Sequence, residues 1–182
     1  MKDTAELVEW YDKLSDGYDE LYAEEQSVKY DLALKTTGAR KFDIAIDIAC
    51  GSGLFFEKLR TTCAFVVGVD VSREMLEKAK TRARNQDVSL VRSDCYKLPL
   101  KDETADCLFA ISLLKAGSEL GKQVSKIARV VKNDGFVVGT VFRNDDEIPG
   151  TGELSLGATG NLKDVSPREA LFSGPARCFK NR

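Results

Sequence analysis

Apolar residues recur at three-, four- and seven-residue spacings from residue 4 to about 36, through Leu7, Leu14 and Leu21 and the aromatics Trp10, Tyr11, Tyr18 and Tyr22. That period predicts helix, broken into two pieces at Gly17, after Asp16. Beyond it the pattern alternates. Apolar runs near 43–48, 64–70, 88–92, 105–111 and 136–142 read as strands, while the 53–61, 73–85 and 118–131 stretches have helical spacing. Ser72 stands where an N-cap belongs, with Glu74 and Glu77 in the early turns. Asn133-Asp134-Gly135 predicts a turn ahead of the 136–142 strand. From Arg143 to about Ser166, Pro149, Gly150, Gly152, Gly157 and Gly160 punctuate a polar stretch that reads as loop. The last apolar segment, Ala170-Leu171-Phe172 to Cys178-Phe179, predicts an edge strand or a hairpin.

Strands alternating with helices imply right-handed crossovers: an α/β fold with a doubly wound, mostly parallel sheet and helices on both faces. At 182 residues the chain suits one domain. It comprises an N-terminal helical segment (1–38), a core (41–142) and a C-terminal loop with a strand or hairpin (143–182).

Composition narrows the function little. Hydrophobic content is 43%, charged content 31%, and net charge −2, which gives no global pull toward nucleic acid or anionic membranes. Five scattered cysteines without a Cys-x-x-Cys pair, and no histidine at all, exclude the usual zinc spacings, so no metal is expected. A polar, acidic N-terminus and the lack of a long apolar run predict a cytoplasmic protein.

The segment Ile44-Ala45-Ile46-Asp47-Ile48-Ala49-Cys50-Gly51-Ser52-Gly53 carries the candidate chemistry. A buried strand ends in an acid and then in a turn of small residues. Small residues let a ligand approach the backbone closely, and the next helix offers free N–H groups. Asp70, 23 residues after Asp47 at the end of the second strand, can accept hydrogen bonds from both hydroxyls of a ribose, or serve instead at the start of the next helix. Asp94, after the third strand, can accept from an adenine amine, with the Cys95 N–H meeting a ring nitrogen. Its other reading is an Asx-turn. The dinucleotide fingerprint Gly-x-Gly-x-x-Gly fails at Phe56, which counts against an NAD-linked oxidoreductase.

Asp47-x-Ala49-Cys50-Gly51-Ser52-Gly53 resembles the first motif of the class I S-adenosylmethionine (SAM) dependent methyltransferases. The Leu98-Pro99 stretch after Asp94 and Val131-Lys132-Asn133-Asp134-Gly135 resemble later motifs of that family, in its small-molecule, type 11 branch. The resemblance implies SAM as cofactor. Asp47, Ala49, Cys50, Gly51 and Gly53 would face its methionine part, Asp70 the ribose, and Val71 and Met75 the adenine, whose edge Asp94 and Cys95 would read. Ile111 and Ser112 would lie near the transferred methyl. Related enzymes begin with a Tyr-Asp-containing helical segment over the cofactor, and Tyr11-Asp12 and Tyr18-Asp19 repeat that dipeptide, so Tyr18 and Tyr22 are candidate lid residues. They share one helix face and equally suit packing on the sheet.

Methyl transfer to a small-molecule acceptor is the leading expectation. The alternative is a non-catalytic SAM-binding module or the activating subunit of a larger methyltransferase complex, suggested by the short region after the fifth strand. Without histidine the usual imidazole base is unavailable, and no other residue stands out as a base. Nucleic-acid and protein acceptors stay open, and the pattern sets no oligomeric state.

Overall fold

The computed structural model describes residues 4–84, 87–142, 163–166 and 169–180. Helix α1 (Thr4–Leu14) meets a 3-10 turn, Ser15–Gly17, that hands directly to α2 (Tyr18–Thr37), as the break at Gly17 predicts. Then follow β1 (Phe42–Ile48), the single-turn α3 (Phe56–Leu59), β2 (Cys63–Asp70), α4 (Arg73–Arg82), β3 (Val88–Arg92), β4 (Ala105–Lys115), α5 (Leu120–Ala128), β5 (Val131–Phe142), β6 (Lys163–Ser166) and β7 (Glu169–Pro175). The sheet order is β3-β2-β1-β4-β5-β7-β6. Strands β1 to β5 are mutually parallel, and the β6–β7 hairpin adds antiparallel to β5. Among the described residues no helix is long and apolar enough to cross a membrane.

Two cores lie on the two faces of the sheet, because successive strand residues point to opposite sides. Leu108 and Ala110 join Val124 and Ile127 of α5 on one face. Phe109 and Ile111 join Tyr30 of α2, Phe56 and Leu59 of α3 and Leu76 of α4 on the other. On that second face Tyr30 stacks on Phe55 at 4.2 Å between centroids, and Phe55 meets Phe109 edge-on at 5.1 Å. This aromatic file fastens α2 to the middle of the sheet.

Several elements differ from the periodicity, and β4 runs on to Lys115 where the pattern ends the strand at 111. The helix expected over 53–61 is one turn only, since Gly53 stands at φ +81° and Thr61 and Thr62 already turn toward β2. Asn133-Asp134-Gly135 does not separate helix from strand. It lies within β5 as a bulge, where Ala105 and Cys107 of β4 pair with Val131 and Phe136. The expected loop is shorter at its end, because Lys163–Ser166 forms the edge strand β6. Its glycines, Gly150 to Gly160, lie outside the described residues.

Candidate functional site

Parallel strands β1 and β2 end side by side, with Asp47 opposite Gly68 and Ile48 opposite Val69, so the turn after β1 lies beside Asp70. The turn is built from left-handed residues: Ala49 (φ +58°), Gly51 (φ +55°) and Gly53 (φ +81°). The Cys50 N–H donates to the Val69 carbonyl (3.0 Å) and the Gly53 N–H to the Cys50 carbonyl (2.9 Å). Phe56 explains the missing third small residue. Its ring occupies the space a side chain would take at Gly53 and at Gly68, each about 2.6 Å from an ideal Cβ. The large residue therefore belongs to a packing arrangement between turn, α3 and β2.

Asp70 braces the turn. The Gly51 N–H donates to its Oδ2 (2.8 Å) and the Ser72 N–H to its Oδ1 (2.9 Å). The Val71 N–H is a third backbone donor to it, and a carboxylate with about four lone-pair sites keeps some acceptor capacity for a ligand beside these three. Burial raises its pKa, and those backbone donors oppose the rise. Asp47 is fully enclosed. Burial first, and then the charge of Asp70, push its carboxyl well above the ordinary carboxylate value. Two neighbouring carboxylates in this setting favour a bound cation, which would relieve both effects. The same burial raises the Cys50 thiol.

The N-terminal segment crosses this turn. The Tyr18 ring reaches 3.8 Å from where a side chain at Gly51 would begin, and packs on Tyr22 at 5.0 Å between centroids. Burial is the main cause that raises the Tyr11 and Tyr18 hydroxyls, with Asp70 contributing to both. Two carboxylates that follow tyrosines in sequence hold the segment down. Asp12 Oδ1 accepts from the Ser72 hydroxyl and from the Glu74 N–H (3.4 Å), at the start of α4. Asp19 accepts from the Ser52 hydroxyl and from Arg82 (2.7 Å), and Arg82 also donates to the Ser52 carbonyl (2.9 Å). The Tyr-Asp dipeptides signalled this segment, yet the sequence assigned no role to Asp12, Asp19, Ser52 or Arg82.

The other candidates line the same edge of the sheet. Val71 is half-buried and its carbonyl accepts from Arg92 (3.0 Å), while Met75 is buried in the first turn of α4, its N–H donating to Ser72 Oγ (3.1 Å). Ser72 is thus the N-cap the sequence predicts. Asp94 accepts the Tyr96 N–H (2.8 Å) in an Asx-turn, and burial leads the effects that push the Cys95 thiol up to about 12. Asp47 pairs opposite Phe109, so Ile111 and Ser112 run past the end of β1, one strand over from the turn. Ile111 is buried, and Ser112 stands at φ +56°.

Ser112 opens a second polar cluster that no motif announced. Its hydroxyl accepts from Lys29 Nζ (2.8 Å) and from Gln26 Nε2 (3.2 Å), and donates to Glu169 Oε1 (3.2 Å). Lys29 pairs with Glu169 Oε2 at 2.5 Å and with the exposed Glu25 at 2.7 Å. Thr140 donates to Glu169 and accepts the Ser112 N–H (2.7 Å).

Residues 46–139 match the family model described as "Methyltransferase domain". A 2-phytyl-1,4-naphtoquinone methyltransferase of Nostoc sp. is 31% identical over 129 residues, 67% of this chain and 55% of the relative. A demethylmenaquinone methyltransferase of Staphylococcus aureus is 29% identical over 136 residues, 70% of this chain and 56% of the relative. The chain thus spans about half the length of these curated relatives. A solved DhpI–SAH complex has the same fold, with a TM-score of 0.71 at 18% identity over 92% of this chain and 94% of that one.

Proposed function

The chain belongs to the methyltransferase-domain family, and from that premise we propose that it binds SAM at the turn after β1 and transfers its methyl group to a small-molecule acceptor. The observation that carries this reading is the pair of carboxylates, buried Asp47 and half-buried Asp70, on adjacent strand ends around a left-handed, small-residue turn. A ligand with a cationic methionine part and a ribose has the charges and hydroxyls such a site lacks. In this reading Asp47 holds the amino group, directly or through water, and Ala49, Cys50, Gly51 and Gly53 let the methionine part lie against the backbone. The remaining acceptor capacity of Asp70 is directed to the ribose. Val71 and Met75 flank the adenine, with Asp94 and Cys95 at its edge, and Tyr18 and Tyr22 cover the turn and exclude water.

Bound SAM supplies an electrophilic methyl group and a good leaving group. The protein's part is then chiefly alignment of acceptor and methyl, a source of large rate gains without a dedicated base. Ile111 and Ser112, past the end of β1, border the place where the acceptor arrives. The two curated relatives are named for quinone acceptors, which supports a small molecule over a macromolecule. Their names as methyltransferases favour transfer over a non-catalytic module.

Calorimetry with SAM, S-adenosylhomocysteine (SAH) and NADH tests the cofactor. Both adenosyl ligands bind the wild type, and Asp70→Ala weakens them by about 2–3 kcal/mol, the scale of hydrogen bonds to a charged group. Binding of NADH alone overturns the reading. Transfer of label from methyl-labelled SAM to a panel of reduced quinones then tests the acceptor class.

A further inference from the structure

Helix α2 buries two long polar side chains on the same face as its apolar Tyr30 and Ala33. Leu21 and Val28, seven apart, are 65% and 54% exposed, while Gln26 and Lys29 are 5% and 2% exposed. Beside the Tyr30–Phe55 stack that face is tied down by the polar cluster, in which Lys29 joins Glu169 of β7 and Ser112 of β4, and Thr140 of β5 completes the set. A buried ion pair is a poor source of net stability, because desolvation offsets its attraction. Its best-attested use is to specify register.

Helix geometry carries that register to the cofactor turn. Tyr18, Tyr22, Gln26 and Lys29 are spaced four, four and three residues apart and so share one face. Lys29 lies eleven residues after Tyr18, about three full turns, so the two point the same way. A slip of one residue at Lys29 would rotate the tyrosines by about 100° and carry Tyr18 away from Gly51.

We propose that the buried Lys29–Glu169 pair is a positioning device that selects the face of α2 laid on the sheet and thereby sets Tyr18 and Tyr22 over the cofactor turn. Neither residue touches the turn; both act through α2. The inference rests on the reading of that turn as the cofactor site, and its test separates the two.

Lys29→Met with Glu169→Leu replaces the pair by apolar groups and leaves no buried charge uncompensated. SAH affinity is read by calorimetry, and the Tyr18 ring by fluorine NMR of fluorotyrosine-labelled protein, with Tyr18→Phe for assignment. The expected result is a folded double variant, with a melting point close to the wild type, that binds SAH about tenfold more weakly and whose Tyr18 resonance moves toward the solvent-exposed position. A purely structural pair would change melting alone. A folded double variant with wild-type SAH affinity and an unmoved Tyr18 resonance overturns the proposal. If the double variant does not fold, Lys29→Met with Glu169→Gln, which keeps the Thr140 contact and leaves no buried charge, is read by the same two measurements and the same criteria. If wild-type protein binds no SAH, the cofactor reading fails, and the Tyr18 resonance alone decides the positioning role.

Discussion

At the scale of residues, the turn after β1 depends on what glycine permits. Gly53 has φ +81°, and an added Cβ would meet the Phe56 ring at 2.6 Å. Phe56 is fully buried and has little room to retreat. Gly53→Ala therefore combines left-handed strain with overpacking and should cost about 2–4 kcal/mol, read from the denaturant midpoint. Asp47 gives a pH signature. Its folded pKa is raised above the ordinary 3.8, so between the two values the folded state binds more protons than the unfolded one. Its contribution to stability is then greatest at the acid end of that window and is lost as pH rises through the folded pKa. Asp47→Asn should remove this loss, making the unliganded variant the more stable form above the window. If Asp47 holds the amino group as proposed, SAH affinity of the wild type should fall as pH drops through the same pKa, because that contact needs the charged carboxylate. The chain has no histidine to obscure either profile.

At the scale of elements, α4 shows how one hydroxyl serves two purposes. Ser72 caps the helix through the Met75 N–H and receives Asp12 from the N-terminal segment. Ser72→Ala loses the cap and one of the contacts that hold α1 down, and should destabilise the fold by about 1–2 kcal/mol in thermal unfolding. Ser72 was legible in the sequence as a cap because a hydroxyl ahead of an acidic first turn is a local signal. Its contact with Asp12, sixty residues away, has no local signature. The same distinction governs α3 and β5. Periodicity locates an element, but its length answers to neighbours. Gly53 and the turn at Thr61 and Thr62 cut α3 to one turn, and pairing with Ala105 draws Val131 into β5 ahead of the Asn133-Asp134-Gly135 bulge.

At the scale of the whole molecule, the β6–β7 hairpin closes both the core and the polar cluster. Leu171 packs on the face of α2, and Phe172 and Phe179 on the face of α5. Each fully buried large side chain contributes about 1.5–3 kcal/mol, against a total stability of about 5–15 kcal/mol for a typical domain. Removal of Glu169 as well leaves Lys29 without its buried counter-charge. A chain truncated after Phe142 should therefore lose its cooperative thermal transition, as circular dichroism would show.

The sequence by itself determined the alternation of strands and helices, the mostly parallel sheet, the turn at 47–53 and the acid at the end of the second strand. These are written in short-range patterns, where side-chain period and backbone freedom act over a few residues. Only the tertiary structure decided that Asp12 and Asp19 pin the N-terminal segment across that turn, that Phe56 fills the space above Gly53 and Gly68, and that Lys29 meets Glu169 beneath α2. Each joins residues far apart in the chain, and a buried polar group finds its partner only where the fold brings one within hydrogen-bond reach. For α2 the two levels disagree. Leu21 and Val28 face water while Lys29 lies beside Tyr30 and Ala33 on the covered face, because β4 and β7 bring Ser112 and Glu169 within reach of its charge.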